Sequence, residues 1–127
     1  MASVLQEILE VENAMVREFN AGDVQSVLAH FHPRVIGFSS TQQERVSGLG
    51  AMKRTFNYYR QASSHMRYRI AEPKVQLFGD TAVATFYWTV ELGKGRPRHL
   101  IKGRGSHVLA REGGRWLIVH EHFSRAH

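Results

Sequence analysis

One carboxylate in the second half of the chain stands where it can do chemistry. Of the acids in the apolar segments after residue 64, Asp80 falls in a turn and Glu91 alternates with the apolar face of its segment, which leaves Glu121. Burial beside Trp and Phe penalises the charged form of a carboxyl, the condition under which it serves as a general acid or base. The competing placement is an outer sheet face, with Glu121 paired to an arginine of its own sheet or of a second subunit. His107 is the candidate catalytic partner or charge stabiliser, and its neighbours depend on the last hairpin. If the loop is Glu112 to Gly114, Arg111 pairs Arg115, and His107, Leu109, Leu117, Val119, Glu121 and Phe123 share a face. If the loop is only Gly113-Gly114, His107 lies opposite His120.

Other patterns admit other chemistry. His120 and His122 form a His-x-His on one strand face, able to hold a metal with a third ligand, or else to pack or hydrogen-bond at an interface. His30 and His32 straddle a helix end and share no face. Lys94, Arg96, Arg98, Lys102 and Arg104 form a basic stretch without an acid, but no stacking aromatics adjoin it, so a solvated hairpin is expected and nucleic acid is not. Tyr58, Tyr59 and Tyr68 are core or rim residues, one of which can donate a hydrogen bond into a pocket. Phosphate loops, nucleophile elbows and dinucleotide fingerprints are missing.

The 127 residues, 43% of them apolar, fit a single domain spanning 1–127. The absence of cysteine excludes disulfides, thiolate metal sites and cysteine nucleophiles, and leaves catalysis to carboxylate, histidine and tyrosine. The net charge of +6 is uneven, −3 over residues 1–50 and +9 over 51–127, so the surplus lies in the second half and reads first as surface and interface charge. The N-terminus lacks the basic start and apolar run of a signal peptide, and no apolar stretch approaches the roughly 20 residues that span a bilayer. A soluble cytoplasmic protein without membrane contact is expected.

Ser3 with Gln6 makes a capping box, and Val4, Ile8, Val11, Met15 and Phe19 recur at helical spacing, widened by Leu5, Leu9 and Val16. Ala21-Gly22 ends this helix. Asp23 caps a second one that His32-Pro33 stops, Val35 to Phe38 reads as a short strand, and Ser39 to Ser47 as a polar loop. Leu49 to Ala62 is a third helix carrying Met52, Phe56 and Tyr59. The period then falls from 3.6 to 2. Met66 to Phe78 is a long strand broken near Glu72-Pro73, followed by strands over Thr81 to Leu92, Arg98 to Arg111 and Arg115 to Ser124. Helices first and a long-stranded antiparallel meander after them make an α+β fold. Val83, Tyr87, Val108, Trp116 and Ile118 cannot share one face with Phe86, Trp88, Leu109 and Leu117, so both faces are apolar and a second subunit is expected on the outer one, giving a homodimer.

This order resembles the nuclear transport factor 2-like superfamily, and within it the SnoaL-like group that includes the association (hub) domain of calcium/calmodulin-dependent kinase II. The resemblance rests on His107-Val108-Leu109, Arg115-Trp116, Val119-His120-Glu121-His122-Phe123-Ser124, Phe78-Gly79-Asp80 and Gly95-Arg96-Pro97-Arg98. It implies a cone-shaped, cystatin-like curved antiparallel sheet wrapped around the N-terminal helices, with a pocket inside. It also makes the two late histidines part of a structural signature, so no metal is expected.

The superfamily includes ketosteroid isomerases, cyclases, dehydratases, ligand binders and oligomerisation hubs, so fold alone leaves the activity open. Resembling steroid isomerases would require a carboxylate near the first strand, and Arg34 to Gln43 contains none. In the hub domains the positions matching His107 and Phe123 are pocket arginines, which favours the three-residue loop; Trp88 matches another, and Arg60 remains basic. The implied pocket is lined by Trp88, Phe86, Phe123, Tyr59, Arg60, Met52 and Val119 and takes a small hydrophobic or weakly acidic molecule. Cofactor-free isomerisation, cyclisation or dehydration through Glu121 is one expectation. A non-catalytic oligomerisation or ligand-sensing module is the other.

Overall fold

The computed structural model describes residues 3–62, 65–93 and 99–126. The elements are α1 (Val4–Asn20), α2 (Val24–Leu28), β1 (Phe31–Phe38), β2 (Val46–Ser47), α3 (Gly48–Ala62), β3 (Met66–Phe78), β4 (Thr81–Leu92), β5 (His99–Glu112) and β6 (Arg115–Arg125). The capping box forms at the start of α1. Ser3 Oγ accepts from the Gln6 N–H at 3.1 Å, and Gln6 Oε1 accepts from the Ser3 N–H at 2.9 Å. At the other end Asn20 imitates a neighbouring strand: its Nδ2 donates to the Tyr68 carbonyl and its Oδ1 accepts from the Tyr68 N–H, both at 2.8 Å. These two bonds fasten α1 to β3.

One sheet runs in the order β2-β1-β6-β5-β4-β3. The meander β3 to β6 is antiparallel, as its alternation requires, but β1 pairs with β6 in parallel, so the sheet is mixed rather than wholly antiparallel. Parallel neighbours need a long connection, and here it is supplied by α3 and the rest of the meander. β1 starts four residues before the expected Val35. Pro33 is tolerated because pairing with β6 is interrupted between Phe31 and Ile36, where no ladder N–H is needed. Val46–Ser47, inside the expected loop, forms the short edge strand β2 against Ile36 and Gly37. The break expected at Glu72-Pro73 coincides with a register shift between Ala71 and Lys74 and with a left-handed Glu72, φ 52°.

The β5–β6 hairpin turns on Gly113-Gly114 alone, both at positive φ, with Glu112 opposite Arg115 and Leu109 opposite Ile118. The three-residue loop is therefore not the one adopted. Trp116 and Ile118 join Leu109 on the inner face, and Leu117 leaves it. A two-residue loop alone would set His107 opposite His120, but one extra residue intervenes: Leu109 faces Ile118 while Val108 faces His120, so Val119 is bulged. The bulge flips the register once more and brings His107 opposite Glu121.

The helices cover this inner face, and Ile8, Phe19, Val27, Phe31, Val35, Met52, Phe56, Leu109, Trp116 and Ile118 form the core between the layers. Among the described residues no helix is long and apolar enough to cross a membrane.

Candidate functional site

The buried face of α1 reads Ile8, Glu12, Met15, Phe19, steps of four, three and four residues. A glutamate thus occupies an apolar stripe, and it is 2% exposed. Across from it His107, also 2% exposed, projects from the middle of β5. His107 Nδ1 lies 2.5 and 2.7 Å from the two carboxylate oxygens of Glu12, and its Nε2 lies 2.7 Å from Glu121 Oε1. Phe31, Phe86 and Phe123 surround the imidazole with ring centroids 6.2, 5.3 and 5.8 Å away.

A neutral imidazole has one N–H and one lone pair, and here both nitrogens face carboxylates, so only the imidazolium donates to both. Burial by itself pushes the His107 pKa down. The charge of Glu12, the hydrogen bonds to Glu12 and Glu121 and the charge of Glu121 outweigh it and lift the value to about 10. Glu12 thereby holds the imidazolium, and the imidazolium compensates the buried charge of Glu121. The expectation for Glu121 from sequence was a desolvated carboxyl among aromatics; the structure adds a cation on one of its oxygens. Oε2 has no protein partner among the described residues.

Glu121 opens onto a cavity of about 250 Å³. Its walls come from α1 (Met15, Phe19), α2 (Val27), α3 (Phe56, Tyr58, Tyr59), β3 (Met66, Tyr68), β4 (Trp88, Val90, Leu92), β5 (Ile101) and β6 (Phe123, Arg125), with Ser39, Ser40 and Thr41 after β1. Among the described residues Glu121 is the one carboxylate of this lining, and Arg125 the one guanidinium. Tyr59 hydrogen-bonds to the hydroxyls of Ser39 and Thr41, tying that loop to α3. Burial, with a lesser contribution from the charge of Glu121, raises the Tyr59 pKa, and burial raises that of Tyr68 much further, with the charges of Glu12 and Glu121 adding to it. Both tyrosines stay neutral phenols. Trp88 lies flat over β5 because Gly103 has no side chain; a Cβ there would run into the indole and the Ser124 carbonyl. Phe86 uses the space over Gly105 in the same way.

Of the residues singled out from sequence, Glu121, Trp88, Phe123 and Tyr59 line this cavity. His107 stands behind Glu121, and Phe86 behind Phe123, its ring centroid 5.6 Å away. Three others lie elsewhere. Met52 is in the core, Val119 is the bulged residue, and the Arg60 guanidinium donates to the Phe19 carbonyl at 3.3 Å, closing the end of α1. Glu12 escaped the sequence reading, although an acid in phase with Ile8, Met15 and Phe19 was its visible signal. Arg125 escaped it too.

The remaining histidines are dispersed. His30 pairs with Glu18 at 2.8 Å and His32 with Glu112 at 3.0 Å, while His122 lies on the outer face with its ring 5.4 Å from Phe38. Among the described residues no three His, Asp or Glu are grouped to hold a metal ion. Lys102 and Arg104 are exposed on the outer side of β5; Lys94, Arg96 and Arg98 lie outside the described residues.

Residues 8–127 match the family model of the SnoaL-like domain. Among curated proteins no relative matches the sequence. Solved structures are similar in fold. A nuclear transport factor 2-like protein of Pseudomonas putida has a TM-score of 0.87 at 21% identity, over 94% of this chain and 84% of that one. A protein of Xanthomonas campestris described as a calcium/calmodulin-dependent protein kinase II association domain has a TM-score of 0.84 at 18% identity, covering 98% and 89%. One from Streptomyces avermitilis, described as a dehydratase of the nuclear transport factor 2-like family, has a TM-score of 0.84 at 17% identity, covering 97% and 96%.

Proposed function

The chain belongs to the SnoaL-like domain family, and we propose that its cavity binds a small hydrophobic or weakly acidic molecule on which Glu121 moves a proton without a cofactor. The observation that carries this reading is that one carboxylate, braced from behind by His107 and Glu12, faces a mostly apolar cavity. Glu121 takes a proton from an acidic C–H of the bound molecule, and the C–H electron pair moves into the adjacent π system. The carboxyl then returns the proton to another carbon, an isomerisation, or to a departing hydroxyl, which leaves as water. His107 keeps its own protons and fixes the orientation of Glu121. The neutral phenol of Tyr68 supplies a hydrogen bond to the charge that develops.

The test is deuterium exchange from heavy water into bound enones and hydroxyketones. Wild-type protein should catalyse exchange that Glu121→Gln loses by at least about a hundredfold. Exchange retained by the variant refutes the role of Glu121. Binding without exchange in either protein supports a ligand-sensing module instead. We also propose a homodimer through the outer sheet face, supported by Ile36 and Tyr87, which are 44% and 54% exposed there.

A further inference from the structure

We infer that the molecule bound in this cavity is an apolar carboxylic acid, held with its carboxylate on Arg125 at the mouth and its opposite end on Glu121. The inference rests on Glu121 being the ligand-facing group of the proposed function, and it adds a chemical class and a direction of binding. Glu121, Phe123 and Arg125 alternate along β6, so they project from one face, and all three line the cavity. Glu121 is 9% exposed and sits deep, whereas Arg125 is exposed and sits at the rim. At about 3.3 Å per residue the two positions are about 13 Å apart along the strand. Subtracting a hydrogen bond at each end leaves roughly 7 Å for the ligand body, before the reach of the arginine side chain is counted. Phe123 and Trp88, stacked at 25° with centroids 5.9 Å apart, offer that body an aromatic wall between the two polar ends.

The charges favour an anion in this orientation. The Arg125 side chain makes no ion pair or hydrogen bond among the described residues, so its guanidinium is open to a carboxylate, which it matches in a planar, two-toothed fashion. A carboxylate driven to the bottom would meet Glu121, and a cationic ligand would find that carboxylate already faced by an imidazolium and would approach against the net +6 of the protein. A carboxylate at the rim and a hydrogen-bond donor at the bottom satisfy both ends.

Isothermal titration of the full chain with 3-(4-hydroxyphenyl)propionate and with its neutral primary amide tests this. The acid should bind about tenfold tighter than the amide, the preference should shrink with added salt, and it should vanish in Arg125→Gln while Arg125→Lys keeps part of it. Arg125 is exposed at a strand end, so its variants retain the fold. Equal binding of acid and amide, a preference that survives Arg125→Gln, or binding of neither compound at millimolar concentration overturns the inference. Glu121→Gln separates it from the proton-transfer reading. An acid preference in a protein that catalyses no exchange sustains the binding direction and refutes only the catalysis.

Discussion

Replacing Glu12 with glutamine keeps the shape of the buried Glu12–His107–Glu121 chain and removes the charge that contributes most to holding His107 protonated. The His107 pKa is about 10 in the fold against about 6.5 for an unfolded imidazole. That difference is worth about 5 kcal/mol of stability. Because the folded value is the higher one, the contribution is fully present below about pH 6.5 and fades as pH rises through 10. Glu12→Gln should therefore cost on the order of 3 kcal/mol near pH 6, in the range measured when one partner of a buried ion pair is removed. The cost should shrink steadily toward pH 10, because above about pH 6.5 the wild-type fold must take up a proton that the unfolded imidazole has already lost. Urea unfolding of both proteins at pH 6, 8 and 10 reads this directly. A difference that stays constant across that range, or that is within about 0.5 kcal/mol at pH 6, refutes the imidazolium bridge.

Deleting Val119 removes the bulge. The ladder then becomes regular with Leu109 still opposite Ile118, Val108 opposite His120 and His107 opposite Glu121, so a thermal melt should keep its cooperative transition within about 10 °C of wild type; loss of that transition contradicts Val119 as the inserted residue of the register. Tyr87→Glu places a charge on the outer face proposed to pair with a second copy, and sedimentation should find monomer where wild type is dimer. A dimer that persists shows that the interface lies elsewhere.

The long strands were legible because β-branched and aromatic runs of period 2 lie between turn signals, and α1 because its cap and its stripe agree. Glu121 was legible by elimination. Its partner was not, since two devices acted in series on the register: the Gly113-Gly114 loop moved Trp116 and Ile118 inward, and the extra Val119 turned Glu121 back onto the face of His107 and set the two opposite each other. The expected outcome therefore rested on the wrong loop, and nothing short of the backbone reveals a bulge in a run as uniformly apolar as Trp116 to Val119. β2 and the parallel pairing of β1 with β6 stayed hidden because edge strands of two residues carry no periodicity, and strand order depends on contacts between distant parts of the chain. The resemblance to the hub domains implied Arg60 as a basic pocket residue, but helix ends need their carbonyls satisfied, and the Phe19 carbonyl claims it.

The most direct test is a crystal structure of the protein as it leaves the expression host, with native mass spectrometry to identify any molecule it retains. The account predicts a small apolar compound within the cone, one of its oxygen or nitrogen atoms within hydrogen-bond distance of Glu121 and Glu121 still bonded to His107. A compound seated outside the cavity, or one inside it that leaves Glu121 uncontacted, would contradict it.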